Sequence, residues 1–179
     1  MMDGVIVPSN HSRVTLQETM YEAKGEEVLK LDNAPIVVSF PPTVAEIDKT
    51  LSKTLKKELG TTYNFLTIAQ VSPRKNIYNL IKWFLGEFKG EADVSLLLKI
   101  HRRDCSKVDR YNTVEKVKSF IAEIAPSKKC KVVLLHGDMS KPEIEGLFKG
   151  GFVTHYVSAS HGEGFGLPLF DAVCSGLVS

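Results

Sequence analysis

VSLLLKI, residues 94–100, is apolar almost from end to end. A strand with one face in water alternates apolar and polar residues, whereas a continuous apolar run needs cover on both faces. Burial on both faces is the mark of a strand inside a parallel sheet flanked by helices. The segments on either side meet that demand. NFLTIAQ (64–70), KVVLLH (131–136) and FVTHYVS (152–158) read as further strands. Between them, Ile77, Leu80, Ile81, Phe84, Leu85 and Phe88 stripe one helix that ends at Gly90. Val114, Val117, Ile121 and Ile124 stripe a second, stopped before Pro126. Ser140 is placed to cap a short third helix carrying Ile144, Leu147 and Phe148, and a last helix runs from Leu167 to about Ser175. Strands alternating with helices predict an α/β chain with a doubly wound parallel sheet and right-handed crossovers. The common order for such a half-sheet, 3-2-1-4-5, sets the strand at 64–70 beside the strand at 152–158. Chain direction reverses between those two, and ligands bind outside the carboxyl ends of the strands at such a point.

The first 60 residues are less regular. GVIVP (4–8) and IVVSF (36–40) read as short buried strands, the second ended by Pro41-Pro42. Ser9 or Asn10 caps a helix expected to continue to about Lys24 and stop at Gly25. Val44, Ile47, Leu51 and Leu55 lie on one helical face, with Gly60 as terminator. The division expected from these patterns is residues 1–60 and residues 61–179.

Composition excludes several classes. The chain has 179 residues, 43% apolar and 25% charged, enough for a core of ordinary size. A formal charge of +2 provides no strong field toward nucleic acid or membrane. No apolar run approaches the ~18 residues of a membrane span. The N-terminus lacks the basic flank and apolar core of a signal peptide. Cys105, Cys130 and Cys174 are odd in number and far apart, as expected for reduced, semi-buried thiols in a cytoplasmic protein. No pair of the five histidines has metal-ligand spacing. His136 and His155 fall on expected strands and are read as buried and hydrogen-bonded, and HRRDCSKVDR (101–110) as a solvated charged loop.

Two loops leave the strands at the expected switch point. QVSPRKN (70–76) carries adjacent cations, Arg74 and Lys75. SASHGEGFG (158–166) carries three glycines around Glu163 and then opens a helix. Topology therefore sets a positive pair opposite a helix N-terminus, whose free amides suit a phosphate or diphosphate. The G-x-G-x-x-G dinucleotide fingerprint is rejected, because Leu167 stands at its third glycine and the loop follows the fourth strand. The glycines fit two readings: a tight turn needing positive φ, or close approach of a ligand to the backbone. A carboxylate among them favours a polyhydroxyl guest over a bare phosphate. Asp171 falls in the first turns of the following helix, where an acid also gains ~0.3–1 kcal/mol from the macrodipole.

S-x-x-H-G-E-G-F-G-L-P-L-F-D-A-V-C-S-G-L, residues 158–177, resembles the signature of retaining GT-B glycosyltransferases of the family-4 (glycosyltransferase group 1) type. The E-G-F-G-L-P core is followed there by a second acid that closes an E-x7-E motif. QVSPRKNIYNLIKWF is similar to that family's nucleotide-diphosphate loop and following helix, and HGDMSKPEIEGLFKGGFVTHYVSAS to its strand, helix and strand before the motif. The resemblance spans about residues 64–177.

What it implies is a Rossmann-like half of a GT-B fold, the C-terminal nucleotide-sugar-binding domain, incomplete here, with residues 1–60 a remnant of the N-terminal domain plus linker. Glu163, the candidate catalytic residue, matches the first acid of the motif, which faces and orients the donor sugar. Gly162, Gly164, Phe165, Gly166 and Leu167 would form the loop reaching sugar hydroxyls and phosphate, with His161 lining the pocket. Lys75 matches the diphosphate lysine. Gln70 stands where an arginine is usual, and Arg74 would supply the lost charge. Asp171 replaces the usual ribose-contacting glutamate with a side chain one methylene shorter. The implied activity is hexosyl transfer from a nucleotide diphosphate sugar to a glycan, lipid or protein acceptor with retention of configuration, without a cofactor or metal. The isolated chain is expected to act slowly or not at all for want of the N-terminal domain, and to self-associate through an exposed sheet edge. Its expected place is the cytoplasm or the cytoplasmic face of a membrane. The alternatives are a non-catalytic nucleotide-sugar-binding or interaction module, and a structural domain with no ligand.

Overall fold

A computed structural model describes residues 5–7, 9–23, 27–30, 36–38 and 47–177. The chain divides into two compact units, Met1–Pro42 and Thr43–Ser179.

The first unit holds β1 (Val5–Val7), α1 (Asn10–Glu18), β2 (Met20–Ala23), β3 (Glu27–Lys30) and β4 (Ile36–Val38). β1 and β4 pair in parallel, Val5 with Ile36 and Val7 with Val38. Ser9 caps α1 by accepting from the Ser12 amide at 3.1 Å. The helix is shorter than its sequence suggests. The Thr19 amide and hydroxyl both bond the Thr15 carbonyl, and Thr19 itself is extended, which turns the chain out of the helix. Met20–Ala23 then pairs antiparallel with Glu27–Lys30, so strand partners satisfy backbone groups that a helix would have used. The expected terminator Gly25 and the Pro41-Pro42 pair lie outside the described residues.

The second unit holds α2 (Lys49–Leu59), β5 (Tyr63–Gln70), α3 (Ile77–Phe88), β6 (Val94–His101), α4 (Lys107–Ile124), β7 (Lys131–Leu135), α5 (Lys141–Lys149), β8 (His155–Tyr156) and α6 (Leu167–Cys174). The sheet order is β7-β6-β5-β8, all parallel, as the apolar runs predict. Its centre is β6, where Leu96, Leu97, Leu98 and Ile100 are fully buried. Alternation along the strand divides these side chains between two cores. Leu96, Leu98 and Ile100 meet Ile77, Leu80, Ile81, Phe84 and Leu85 of α3 and Val117 of α4. Leu97 joins Leu66, Leu55 and Leu59 of α2, Leu147 and Phe148 of α5, and Ala172 of α6. Each fully buried leucine or phenylalanine contributes roughly 1.5–3 kcal/mol.

α2 begins at Lys49, where Asp48 accepts from the amides of Thr50 and Leu51 at 2.7 and 3.1 Å. Val44 lies outside the described residues. Although the sequence pattern groups α2 with the first 60 residues, the helix packs on α5. The Ser52 hydroxyl donates to the Gly146 carbonyl at 2.9 Å. A Cβ at Gly146 would meet the Asp48 carbonyl oxygen at 2.9 Å, so only glycine permits this approach.

Two expectations change. The apolar run at 152–158 pairs with β5 only over His155–Tyr156. Upstream of the pair, the Thr154 amide still bonds the Asn64 carbonyl at 2.9 Å, and beyond it the buried Asn64 side-chain amide donates to the Phe152 carbonyl at 2.7 Å. The charged run 101–110 is a solvated loop only in part: Arg103, Asp104 and Ser106 are exposed, but the run is shorter as a loop than expected and Asp109 is buried. β6 extends to His101 and α4 starts at Lys107 under a Ser106 cap. Asp109 is 6% exposed and accepts from the amides of Arg102 and Arg103 at 3.0 and 3.2 Å and from His136 Nε2 at 3.0 Å. His136 is thus buried and hydrogen-bonded, as read. His155 is half-buried, 2.8 Å from the Thr154 hydroxyl and stacked on Phe65. Of the thiols, Cys130 is buried and Cys105 half-buried, while Cys174 is exposed.

Candidate functional site

Because β5 and β8 are neighbours, the loops that leave their carboxyl ends meet. The 71–76 loop turns on bonds from the amides of Lys75 and Asn76 to the Ser72 carbonyl, at 3.1 and 3.2 Å. It ends at Asn76, which starts α3 in a left-handed conformation with no side-chain cap. The 157–166 loop ends at Gly166, left-handed at φ 76°, and α6 likewise starts without a side-chain cap. Two uncapped helix N-termini therefore follow adjacent strands. Each presents free first-turn amides and the positive end of a helix dipole.

The loops are joined through Arg74, Lys75 and Glu163. The Arg74 carbonyl accepts from the His161 amide at 2.8 Å and from the Ser160 hydroxyl at 3.3 Å. The Arg74 guanidinium donates to the Gly162 carbonyl and to Glu163 Oε2, the latter at 3.2 Å. Lys75 Nζ donates to Glu163 Oε1. One carboxylate thus bridges both cations. Partial burial works to raise the Glu163 pKa, but bonds from Lys75, Ser160 and Arg74 outweigh it and hold the carboxyl below its usual range. The sequence sets these three residues opposite one another, but not in direct contact.

The glycines separate. Only Gly166 has the positive φ that a tight turn requires. Gly162 and Gly164 do not, and a Cβ at either would meet nothing within 4 Å. Neither backbone conformation nor packing calls for glycine there. What their small size leaves is open backbone beside Glu163.

Gln70, Lys75 and Pro168 border a cleft of about 370 Å³ at the carboxyl ends of the strands, together with Lys99, Cys105 and Asp138. Gln70 is exposed, its amide 3.4 Å from the Arg102 carbonyl. Phe165 packs on Phe170 with ring centroids 5.1 Å apart, and Leu167 is exposed. Arg74 does not border this cleft; its guanidinium is engaged by the glycine loop. Asp171 is not joined to the Arg74–Lys75–Glu163 cluster either. It lies beside α5, where burial, then the charge of Glu145, raise its pKa against the opposing pull of Lys149. Lys149 itself pairs with Glu145 at 2.6 Å. Lys99 is a cleft residue the sequence reading passed over; the signal was a single lysine inside an otherwise apolar strand. Among the described residues, no three His, Cys, Asp or Glu side chains are grouped to hold a metal ion, and no helix is long and apolar enough to cross a membrane.

No protein-family profile and no curated protein matches the chain. Solved structures do. The C-terminal domain of a glycosyl transferase group 1 family protein, LpcC from Francisella tularensis, superimposes with a TM-score of 0.52 at 18% identity, over 75% of this chain and 64% of that one. The E. coli trehalose-6-phosphate structure bound with UDP-2-fluoro glucose gives 0.53 at 11% identity, over 97% of this chain and 43% of that one. The OtsA apo structure gives 0.54 at 10% identity, with 97% and 43% covered. The chain spans less than two thirds of the length of each of these. The likeness is one of fold alone: the parallel α/β arrangement is like the Rossmann-like half of the GT-B fold found in these glycosyltransferase structures.

Proposed function

We propose that the chain is the donor-binding part of a glycosyltransferase that moves a sugar from a nucleotide diphosphate sugar to an acceptor with retention of anomeric configuration. The observation that carries this reading is Glu163 bridging Arg74 and Lys75 beside two unforced, unpacked glycines, at the switch point of a parallel sheet. When the bond between the sugar and the diphosphate breaks, negative charge develops on the departing phosphate oxygen. On this reading Lys75, Arg74 and the free amides at the starts of α3 and α6 would be the donors that meet that charge. Fixed donors of this kind need no reorganisation as the bond breaks. The diphosphate would take over the cations that Glu163 holds, and the released carboxylate would accept hydrogen bonds from the sugar hydroxyls. The structural neighbours give the reading its chemical class: one is bound to UDP-2-fluoro glucose, and a related trehalose-6-phosphate synthase structure concerns glycosyl transfer with retention. The acceptor would be a glycan, lipid or protein.

Calorimetric titration with UDP, GDP and their sugars tests this. Lys75→Ala should cost roughly 1.5–3 kcal/mol of diphosphate binding, the worth of a charge-assisted hydrogen bond. Unchanged affinity would remove Lys75 from the site. Turnover of a bound donor sugar would defeat a binding-only module.

A further inference from the structure

Lys99 is the only Lys, Arg, Asp or Glu residue in β6. It pairs in register with Ile68 of β5 and Leu135 of β7, so it sits in the middle of the sheet near its carboxyl end. It is 8% exposed, between Leu98 and Ile100, which are fully buried. Alternation points it to the same face as Leu97, opposite the core that Leu98 and Ile100 fill. Its ammonium donates to the Gly137 carbonyl at 2.5 Å. Among the described residues that is its one hydrogen-bond partner, and no carboxylate forms an ion pair with it. An ammonium has three N–H donors, so two remain. A charge at this depth without a counter-charge is costly, and such groups are held where something pairs with them. Lys99 borders the cleft of about 370 Å³ that Gln70 and Lys75 also line. Asp138 shares that cleft but is exposed and interacts with the Cys105 thiol. Lys75 is already joined to Glu163, whereas Lys99 keeps its spare donors.

We propose that Lys99 is a second phosphate-binding cation of this cleft, which meets the diphosphate of a nucleoside diphosphate from the sheet side while Lys75 meets it from the 71–76 loop. The proposal rests on reading the cleft as a diphosphate site. Lys75 must exchange a carboxylate for the phosphate; Lys99 has none to give up.

The test uses inorganic pyrophosphate, UDP and GDP as probes, titrated into the wild type, Lys75→Ala and Lys99→Met, with urea midpoints for each protein. Lys99→Met should bind pyrophosphate and the nucleoside diphosphates about tenfold more weakly, the worth of one charge-assisted contact. Its urea midpoint should equal or exceed that of the wild type, because an apolar chain of similar length replaces a buried charge. Unchanged affinity in Lys99→Met, with a loss in Lys75→Ala, overturns the role of Lys99 and leaves the site standing. Weaker binding together with a lowered midpoint assigns Lys99 to holding the Gly137 loop and also overturns the proposal. Failure of the wild type to bind any of the three probes brings down the site and Lys99 together.

Discussion

Asp109 and Glu163 each hold a basic side chain at the carboxyl end of the same sheet, in opposite circumstances. Asp109 is 6% exposed and its partners come from three directions: the amides of Arg102 and Arg103, and His136. The Glu163 side chain is 30% exposed, and it faces the Arg74 guanidinium, itself 55% exposed, as well as Lys75. The first arrangement locks a strand end to the start of a helix and leaves nothing to exchange. The second is held by two cations that an incoming anion can claim. The same chemistry thus serves cohesion where water is excluded and, on the function proposed above, would serve exchange where water enters.

The comparison can be broken most directly by deletion. Asp109→Ala should cost about 3 kcal/mol, since it leaves an imidazole and two amides without their acceptor. Glu163→Ala should cost less than about 1 kcal/mol, as an exposed ion pair does. Equal urea midpoints for the two variants would show that the distinction is false. Acid should reveal the same contrast. Burial works to raise the Asp109 carboxyl, but His136 and the two amides outweigh it and hold the folded pKa below the ordinary aspartate value. The stabilisation is therefore complete above the unfolded value of about 3.9 and is lost as pH falls through the lower folded value. Asp109→Asn should lack that acid-side loss; urea midpoints from pH 5 down to pH 2 that run parallel in the two proteins would contradict it. The smallest effect concerns exchange. Glu163→Gln should tighten pyrophosphate binding about two- to fivefold, because a neutral amide competes less for Arg74 and Lys75. Weaker pyrophosphate binding would mean that Glu163 assists the phosphate rather than standing in for it.

The sheet was legible because its evidence is local. Seven consecutive residues of β6 announce burial on both faces, and the strand order follows from general rules of parallel sheets. The loops that carry Arg74, Lys75 and Glu163 were placed opposite one another for the same reason. What escaped depends on partners distant in sequence. Asp109 is buried because His136, 27 residues later, comes to it. The charges around Asp109 gave the surface reading instead. Met20–Ala23 carries a composition compatible with helix, and pairing with Glu27–Lys30 decides otherwise. Asp171 follows the glycine loop in sequence, yet its surroundings are set by Glu145 and Lys149 of another helix.

Arg74 holds the glycine loop in two ways, and they have separate fates under substitution. Its guanidinium reaches Gly162 and Glu163, but its carbonyl receives the His161 amide and the Ser160 hydroxyl. Every amino acid has that carbonyl. A scan that truncates side chains one by one would therefore underestimate this position, because half of its hold on the loop survives any replacement that keeps the turn. Replacing the side chain at 74 removes the contacts to Gly162 and Glu163, whereas those of its peptide group remain.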